Sequence, residues 1–270
     1  DHLDFFKDID DIRHSFRKFA ELLPADGALI INADTPKYEM VAENLPCKVI
    51  TYGLEHDAEY TASDITYDEF GHPTFHVLHN GEDIGTCSLK VPGIHNVSNA
   101  LASIAAGRLL GLDNEVIFAG LKDFGGTDRR FQYKGEVNGV TIIDDYAHHP
   151  QEIAATLAAA KNYPHREIWC VFQPHTYTRT KALMEDFAKA LSTADHVVLA
   201  DIYAARETDN LGISSETLAE KIAALGTDTH YFPSFDAIET FLLENCVNGD
   251  LLITMGAGDI VKVGEKLLGQ

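Results

Sequence analysis

Five polar side chains that could do acid–base or binding chemistry fall within six positions, from Asp144 to His149. Their run, Asp-Asp-Tyr-Ala-His-His, follows the apolar residues 140–143 and precedes a predicted helix over 151–161 whose first turn holds Glu152. Carboxylates can hold a ribose hydroxyl or a metal ion, and imidazoles can transfer protons near neutral pH. A solvated loop that caps the helix would use the same residue types, and two neighbouring histidines alone make a poor metal pair. The density of polar groups after a strand favours an active site.

A second polar loop, residues 173–180, follows another apolar segment and reads Gln-Pro-His-Thr-Tyr-Thr-Arg-Thr. Arg179, near the start of the next predicted helix, could hold a carboxylate with its planar guanidinium group. Alternatively, Thr178 or Thr180 caps that helix and Arg179 is a surface charge. The residues alone leave these two interpretations open.

A pair of arginines, Arg129 and Arg130, follows the glycines Gly125 and Gly126. Paired guanidinium groups at a domain junction suit a polyphosphate, and the glycines would allow the junction to close. Two solvated surface arginines are the commoner outcome for such a pair, so this motif is weaker evidence by itself.

For two further segments, a purely structural role is favoured over a role in binding. Residues 92–99 open a helix, where Asn96 or Ser98 would serve as a cap, although an asparagine amide could also pair with a purine edge. Residues 256–259, Gly-Ala-Gly-Asp, could bind an anion through backbone N–H groups, but a lone GxG is weak and Asp259 disfavours phosphate. Close packing in a turn is the favoured interpretation. The sequence contains no GxxxxGK[ST] phosphate loop.

The elements that must position these residues alternate regularly in the second half of the chain. Apolar, β-branched strands followed by helices predict a parallel sheet covered on both faces, with ligands at the carboxyl ends of its strands. The predicted strands are 140–143, 168–172, 196–201, 230–232 and 251–254, and the predicted helices are 151–161, 180–191, 215–225, 235–244 and 260–268. The first half mixes types and contains a hairpin signal, Asn80-Gly81. Its predicted helices are 12–23, 36–43, 97–110 and 116–121, and its predicted strands are 28–31, 48–52 and several within 60–91.

The composition limits the class of protein. The 270 residues are 45% hydrophobic, enough for one large domain or two ordinary ones. A net charge of −21 argues against binding to nucleic acid or to an anionic membrane. Four cysteines without CxxC spacing indicate buried free thiols in a reducing cytoplasm. No apolar run approaches the roughly 20 residues that span a bilayer, and the start at Asp1, without Met or a signal peptide, suggests a piece of a longer chain.

Taken in order, these segments resemble the Mur ligase superfamily. The resemblance lies in "DHLDFF", "PGIHNVSNALASIAAGRLLG", "GTDRRF", "DDYAHHPQEI", "FQPHTYTRT" and "GAGDI", which cover essentially the whole chain. It implies an α/β protein in which residues 1–126 are the latter part of a central ATPase domain with an antiparallel portion. Residues 127–270 would be a complete C-terminal domain with a Rossmann-like, doubly wound, mostly parallel sheet.

The resemblance also implies a reaction. Family enzymes use ATP and Mg²⁺ to phosphorylate the carboxylate of UDP-N-acetylmuramate, and the amine of L-alanine then attacks the acyl phosphate to form an amide. A UDP-binding domain and a phosphate loop belong to such enzymes, and neither is present in this sequence. We therefore expect this chain alone to be inactive, because pre-placed donors for the transferred phosphoryl group are worth ~10²–10³ in rate each.

Individual roles follow from the resemblance, residue by residue. In the first half, His2 matches a magnesium-binding histidine, and three residues match the adenine-contacting segment: His95, Asn96 and Asn99. In the second half, Arg130 matches the phosphate-contacting arginine and Asp145 the ribose-binding aspartate. The amino-acid side is implied to hold Tyr146, His148, His175 and Arg179, with Arg130, His148 and His175 as the catalytic group. Thr176 departs from the arginine that many members carry, which puts one contact to the sugar nucleotide in doubt.

Two alternatives remain at this point. A ligase of the same superfamily that recycles murein tripeptide shares the "DD…AHHP" type of loop, although the 174–179 run favours the alanine-adding reaction. A non-catalytic nucleotide- or sugar-binding module would also explain a parallel sheet without a phosphate loop. The coding DNA upstream of Asp1 separates these alternatives, since a GxxGK[ST] run there supports the ligase and a nearby start codon supports the module.

Overall fold

The computed structural model describes residues 5–270, which divide between Gly125 and Gly126 into two compact units. We describe each unit by itself. The predicted magnesium-binding histidine, His2, lies outside the described residues. Within residues 5–270, no helix has both the length and the apolar character needed to cross a bilayer.

The first unit is built on a five-stranded sheet in the order β1-β2-β3-β4-β5. Its first three strands are parallel and the remaining pairs are antiparallel. The turn between β4 and β5 has positive φ at Asn80 and Gly81, which confirms the hairpin signal because type I′ turns require both. The strands are β1 (Ala28–Asn32), β2 (Lys48–Tyr52), β3 (Tyr60–Tyr67), β4 (Pro73–His79) and β5 (Glu82–Ser88).

Four helices accompany this sheet, and the longest of them forms much of the core. Ile104 and Leu101 of this helix are fully buried with Phe75 of β4. The helix begins at Ile94, and neither Asn96 nor Ser98 caps it, so that prediction is wrong. Gly93 is the N-cap, and the Asn96 amide instead donates to the Pro92 carbonyl. The helices are α1 (Ile9–Ala20), α2 (Glu39–Ala42), α3 (Ile94–Leu109) and α4 (Asn114–Asp123).

The second unit contains a six-stranded sheet in the order β10-β9-β8-β11-β7-β6. Every neighbouring pair is parallel except β6 with β7, which confirms the mostly parallel, doubly wound class. The edge strand β6 was not predicted. The strands are β6 (Gln132–Val137), β7 (Val140–Asp145), β8 (Ile168–Phe172), β9 (His196–Leu199), β10 (Asp228–Tyr231) and β11 (Leu251–Met255).

Helices cover both faces of this sheet and enclose two cores. Leu157 of α5, Phe187 of α7 and Leu218 of α8 pack on one face. Ile238 of α9 and Val263 of α10 pack on the other. The single helix predicted over 180–191 is instead two helices that meet at Leu183, which ends one and precedes the other. The helices are α5 (Pro150–Ala160), α6 (Tyr177–Ala182), α7 (Met184–Leu191), α8 (Ser215–Ala224), α9 (Phe235–Asn245) and α10 (Val261–Leu267).

Candidate active site

The carboxyl end of β7 is buried, so the acidic pair at 144 and 145 belongs to the strand rather than to a loop as predicted. Asp145 is 5% exposed and its carboxylate accepts hydrogen bonds from the N–H groups of Phe131 and Ala147, at 2.9 and 2.8 Å. The Thr156 hydroxyl donates to it at 3.1 Å. Burial raises the pKa of Asp145, against the opposing effect of these hydrogen bonds. This carboxylate therefore ties the start of the second unit, the loop and α5 to one point.

Arg129 is not the solvated surface arginine that its sequence context suggests. Its Nε donates to the fully buried Asp144 carboxylate at 2.9 Å, and its two terminal nitrogens donate to the carbonyls of Gly256 and Gly258 at 2.8 and 3.2 Å. Its guanidinium carbon lies 4.8 Å from the centre of the Tyr146 ring. Nothing in the local sequence distinguishes Arg129 from Arg130, because its partners lie at the end of β7 and in the turn after β11.

The loop that follows Asp145 carries the predicted Tyr146 and His148. Tyr146 is 37% exposed, and His148 Nδ1 lies 3.0 Å from the Tyr146 carbonyl oxygen. The backbone N–H groups of His148 and His149 both donate to the Glu152 carboxylate, and the His149 ring caps α5. Helix capping therefore accounts for His149 and Glu152, while the His148 ring lies near a histidine of the segment that follows β8.

The segment after β8 carries His175 in its loop and Arg179 in α6, near the carboxyl end of the strand as predicted. The rings of His148 and His175 are 6.2 Å apart. An Arg179 terminal nitrogen lies 3.2 Å from His175 Nδ1 and also donates to the His175 carbonyl. Partial burial lowers the pKa of His175, and the charges of Arg179 and His148 lower it further. Both effects favour the neutral form of the imidazole, and its Nδ1 then accepts the hydrogen bond from Arg179.

Two contacts to this loop were missed by the sequence interpretation, and both come from the segment after β9. The Tyr203 ring stacks on His175, with centroids 5.4 Å apart and planes 11° from parallel. Glu207 accepts hydrogen bonds from the Thr176 hydroxyl at 2.6 Å and from the Thr178 N–H at 3.0 Å. The sequence patterns assign no role to any residue of this segment.

The Gly256–Asp259 turn packs closely on Gln173, which confirms the structural interpretation. The Asp259 N–H donates to the Gln173 side-chain oxygen at 3.0 Å. A Cβ atom added at Gly258 would lie 2.3 Å from the same oxygen, and one added at Gly256 would lie 2.7 Å from the Gln173 carbonyl. Glycine is required at 256, where the obstacle is main chain, whereas a larger residue at 258 would displace the Gln173 side chain.

One further predicted residue lies in the second unit, and three lie in the first. Arg130 is 55% exposed in its side chain and lies 3.6 Å from Glu152, a weak contact at a solvated surface. In the first unit, Asn99 donates to the Asn96 side-chain oxygen at 3.2 Å, and His95 lies beside them at the start of α3. The roles of these residues remain predictions.

The two units together define a known class of enzyme domains, and the chain belongs to the Mur ligases. The Mur ligase middle domain matches residues 1–107, and the Mur ligase glutamate ligase domain matches residues 129–258. A UDP-N-acetylmuramate–L-alanine ligase of Lachnospira eligens is 62% identical over 269 residues, which is 99% of this chain and 59% of the relative. The chain thus spans about three fifths of that relative's length.

Solved structures agree with this assignment. The UDP-N-acetylmuramate–alanine ligase of Thermotoga maritima has a TM-score of 0.79 and 27% identity, covering 100% of this chain and 56% of that one. A murein peptide ligase of Psychrobacter arcticus has a TM-score of 0.69 and 25% identity, covering 98% of this chain and 55% of that one. The alanine ligase and the murein peptide ligase therefore share this fold.

Proposed function

We propose that this chain is part of an enzyme that uses ATP to join L-alanine to UDP-N-acetylmuramate. The observation that carries the proposal is the Arg179 guanidinium held 3.2 Å from the imidazole Nδ1 of His175, just after the carboxyl end of a parallel strand. A guanidinium group matches the carboxylate of an amino acid, and a neutral imidazole matches its attacking amine. The 62% identity to an L-alanine ligase supports this choice of substrate.

The proposed chemistry divides the work between ATP and the protein. ATP supplies the phosphoryl group that activates the muramate carboxylate, and Mg²⁺ accompanies it. Arg179 binds the carboxylate of L-alanine, while His175 or His148 accepts the proton that the amine loses as the amide forms. Tyr146, next to His148, would line the same binding site for L-alanine, and Arg130 would contact the phosphates of ATP.

The remaining nucleotide contacts are proposed from the resemblance. Asp145 is assigned to the ribose, and the adenine is assigned to His95, Asn96 and Asn99. Both carboxylate oxygens of Asp145 already accept hydrogen bonds from groups of the second unit. A ribose hydroxyl would therefore have to share one of these oxygens with them. For the metal, only His2 was predicted, and it lies outside the described residues.

The state of the cysteines indicates the cellular compartment in which the enzyme works. Cys87 and Cys170 are buried free thiols, and burial raises the pKa of each, to about 11 and about 12. Such thiols are unreactive and need no oxidising environment. We propose that the enzyme works in the cytoplasm.

The role of Arg179 is tested in an enzyme restored to the full length of its relatives. In this restored enzyme, the part of the Lachnospira eligens ligase outside the matched region is fused to the present chain in its natural position. Arg179→Lys keeps the charge but loses the planar fork, so KM for L-alanine is expected to rise about tenfold or more while KM for ATP is unchanged. Arg206→Lys, at an exposed arginine of the neighbouring loop, is the matched control. An unchanged KM for L-alanine in Arg179→Lys would remove this arginine from the binding site.

A further inference from the structure

The start of α6, which carries Arg179, is held by a residue from another loop. Thr176 is the N-cap of this helix, but its side chain makes no capping hydrogen bond to the helix. A helix start leaves backbone N–H groups without intrahelical partners. Glu207 fills this place from outside: its carboxylate accepts from the Thr178 N–H at 3.0 Å and from the Thr176 hydroxyl at 2.6 Å.

The same loop also contacts the other half of the 173–180 segment. The Tyr203 N–H donates to the Pro174 carbonyl at 2.8 Å, and residues 175 and 203 form an isolated parallel β-bridge. The Tyr203 ring lies flat against the His175 ring. His175 and the first turn of α6 are thus fixed from one side by a single segment, 203–207.

The carboxylate of Glu207 is suited to this role because it is ionised. Partial burial alone would raise the pKa of Glu207, but the hydrogen bonds from Thr176 and Thr178 outweigh that effect and the pKa is lowered. Hydrogen bonds to an ionised acceptor are about twice as strong as neutral ones. The anchor is therefore present throughout the neutral pH range.

We propose that Glu207 is a positioning residue, which sets the places of His175 and Arg179 by capping α6 from the β9–α8 loop. The proposal rests on the proposed function, in which His175 and Arg179 contact the amino-acid substrate. Glu207 itself touches no reacting atom. Its loss should therefore weaken the binding of the amino acid without affecting the nucleotide.

The kinetic test compares three variants of the restored enzyme. Glu207→Ala removes both hydrogen bonds and should raise KM for L-alanine at least about tenfold, with KM for ATP within twofold. Glu207→Gln can still accept from the Thr178 N–H and donate to the Thr176 hydroxyl, so it should recover most of the loss, to within about threefold of the parent. Glu220→Gln, at an exposed glutamate of α8, removes the same charge and should change neither constant.

A second measurement follows the position of the loop in the present chain without any substrate. Hydrogen exchange of peptides covering 173–182 should be at least about tenfold faster in Glu207→Ala than in the parent or in Glu220→Gln, because the Thr178 N–H loses its acceptor. Unchanged exchange, or a tenfold rise in both KM values together, would overturn the proposal. If the restored enzyme without substitutions forms no amide from L-alanine, the proposed function fails, and the positioning role of Glu207 fails with it. If that enzyme is active but Glu207→Ala leaves KM for L-alanine unchanged, only the positioning role fails.

Discussion

At the scale of single residues, Arg129 shows how one charged side chain can organise a site through its contacts within the protein. All three nitrogens of its guanidinium group are used within the second unit, on Asp144 and on the carbonyls of Gly256 and Gly258. The ends of β7 and β11 are joined by this one side chain, and the ring of Tyr146 lies against it. Arg129, near the start of the second unit, therefore holds the ends of two of its strands together.

Loss of this arginine should destabilise the second unit strongly. In Arg129→Ala the Asp144 carboxylate, which is fully buried, would be left without its counter-charge. The expected loss in the free energy of unfolding is about 3–5 kcal/mol. Urea unfolding followed by the fluorescence of Trp169, the single tryptophan and a buried residue of β8, reports on this unit alone.

Arg130→Ala is the matched control for that experiment. Its side chain is 55% exposed and its nearest carboxylate is 3.6 Å away, so the expected loss is below about 1 kcal/mol. Equal losses in the two variants would show that the Arg129 contacts do not stabilise the unit.

His196, at the opposite end of the sheet, should make the stability of this unit depend on pH. Its partial burial would lower its pKa, but hydrogen bonds to Asp228 at 2.7 Å and Glu167 at 3.2 Å outweigh burial and raise it above 6.5. The folded state thus favours the imidazolium form. Its stabilising effect is complete below the unfolded pKa of about 6.5 and is lost as the pH rises through the folded pKa.

The measurement is the difference in the free energy of unfolding between the parent chain and His196→Gln. This difference should be larger at pH 6 than at pH 8.5. His165→Gln, at an exposed histidine, corrects for general effects of losing an imidazole. A difference that grows with rising pH would have the wrong sign for this account. Because His196 stacks on Trp169, with centroids 3.9 Å apart, the fluorescence of Trp169 should also titrate with the same pKa.

At the scale of elements, the loops at the carboxyl ends of β7, β8, β9 and β11 depend on close backbone contacts. Gly256 has a φ of +145°, and a Cβ atom there would meet the Gln173 carbonyl. Gly256→Ala therefore combines backbone strain with a clash against the main chain, which cannot move as a side chain could. We expect it to cost about 2–4 kcal/mol of unfolding free energy.

Gly226→Ala separates the two effects. Gly226 also has a positive φ, +95°, but no atom lies within 4 Å of an added Cβ. Its expected cost is about 1 kcal/mol, from backbone strain alone. If the two alanine variants melt at the same temperature, the packing of the 256–259 turn on Gln173 contributes nothing to stability.

Sequence patterns predicted most of these elements, and the failures have physical causes. The strand over 168–172 was predicted correctly because all five residues are buried and apolar. Strand β6 was missed because it is an edge strand in which polar residues and Gly135 interrupt any alternation. The end of β7 was taken for a loop because carboxylates rarely lie in a buried strand. Here Arg129, two backbone N–H groups and two threonine hydroxyls supply the hydrogen bonds that make the burial possible.

The candidate site divides in a similar way. Polar segments after apolar strands indicated where the site lies, and the resemblance assigned His148, His175 and Arg179 within them. The parallel sheet brings these residues to one edge. Glu207 was not predicted because its role depends on two donors about thirty residues earlier in the chain. No local pattern marks a residue that acts on a neighbouring loop.

At the scale of the whole molecule, the chain lacks a phosphate loop motif and spans 59% of its 62% identical relative. We expect the 270-residue chain alone to form no amide from ATP, UDP-N-acetylmuramate and L-alanine. Oriented donors around the transferred phosphoryl group each supply ~10²–10³ in rate, and this chain carries none in a phosphate loop. Mass spectrometry of the nucleotide product checks this, and any product above the enzyme-free background would contradict it.

The central claim, that this chain serves an L-alanine ligase, is tested most directly by a substrate panel. The restored enzyme is given ATP, UDP-N-acetylmuramate and either L-alanine, glycine, L-serine or murein tripeptide, and both phosphate release and the new amide are measured. The account predicts that L-alanine gives the highest kcat/KM, with one phosphate released for each amide formed. A higher kcat/KM for the tripeptide, or phosphate release without any amide, would contradict it.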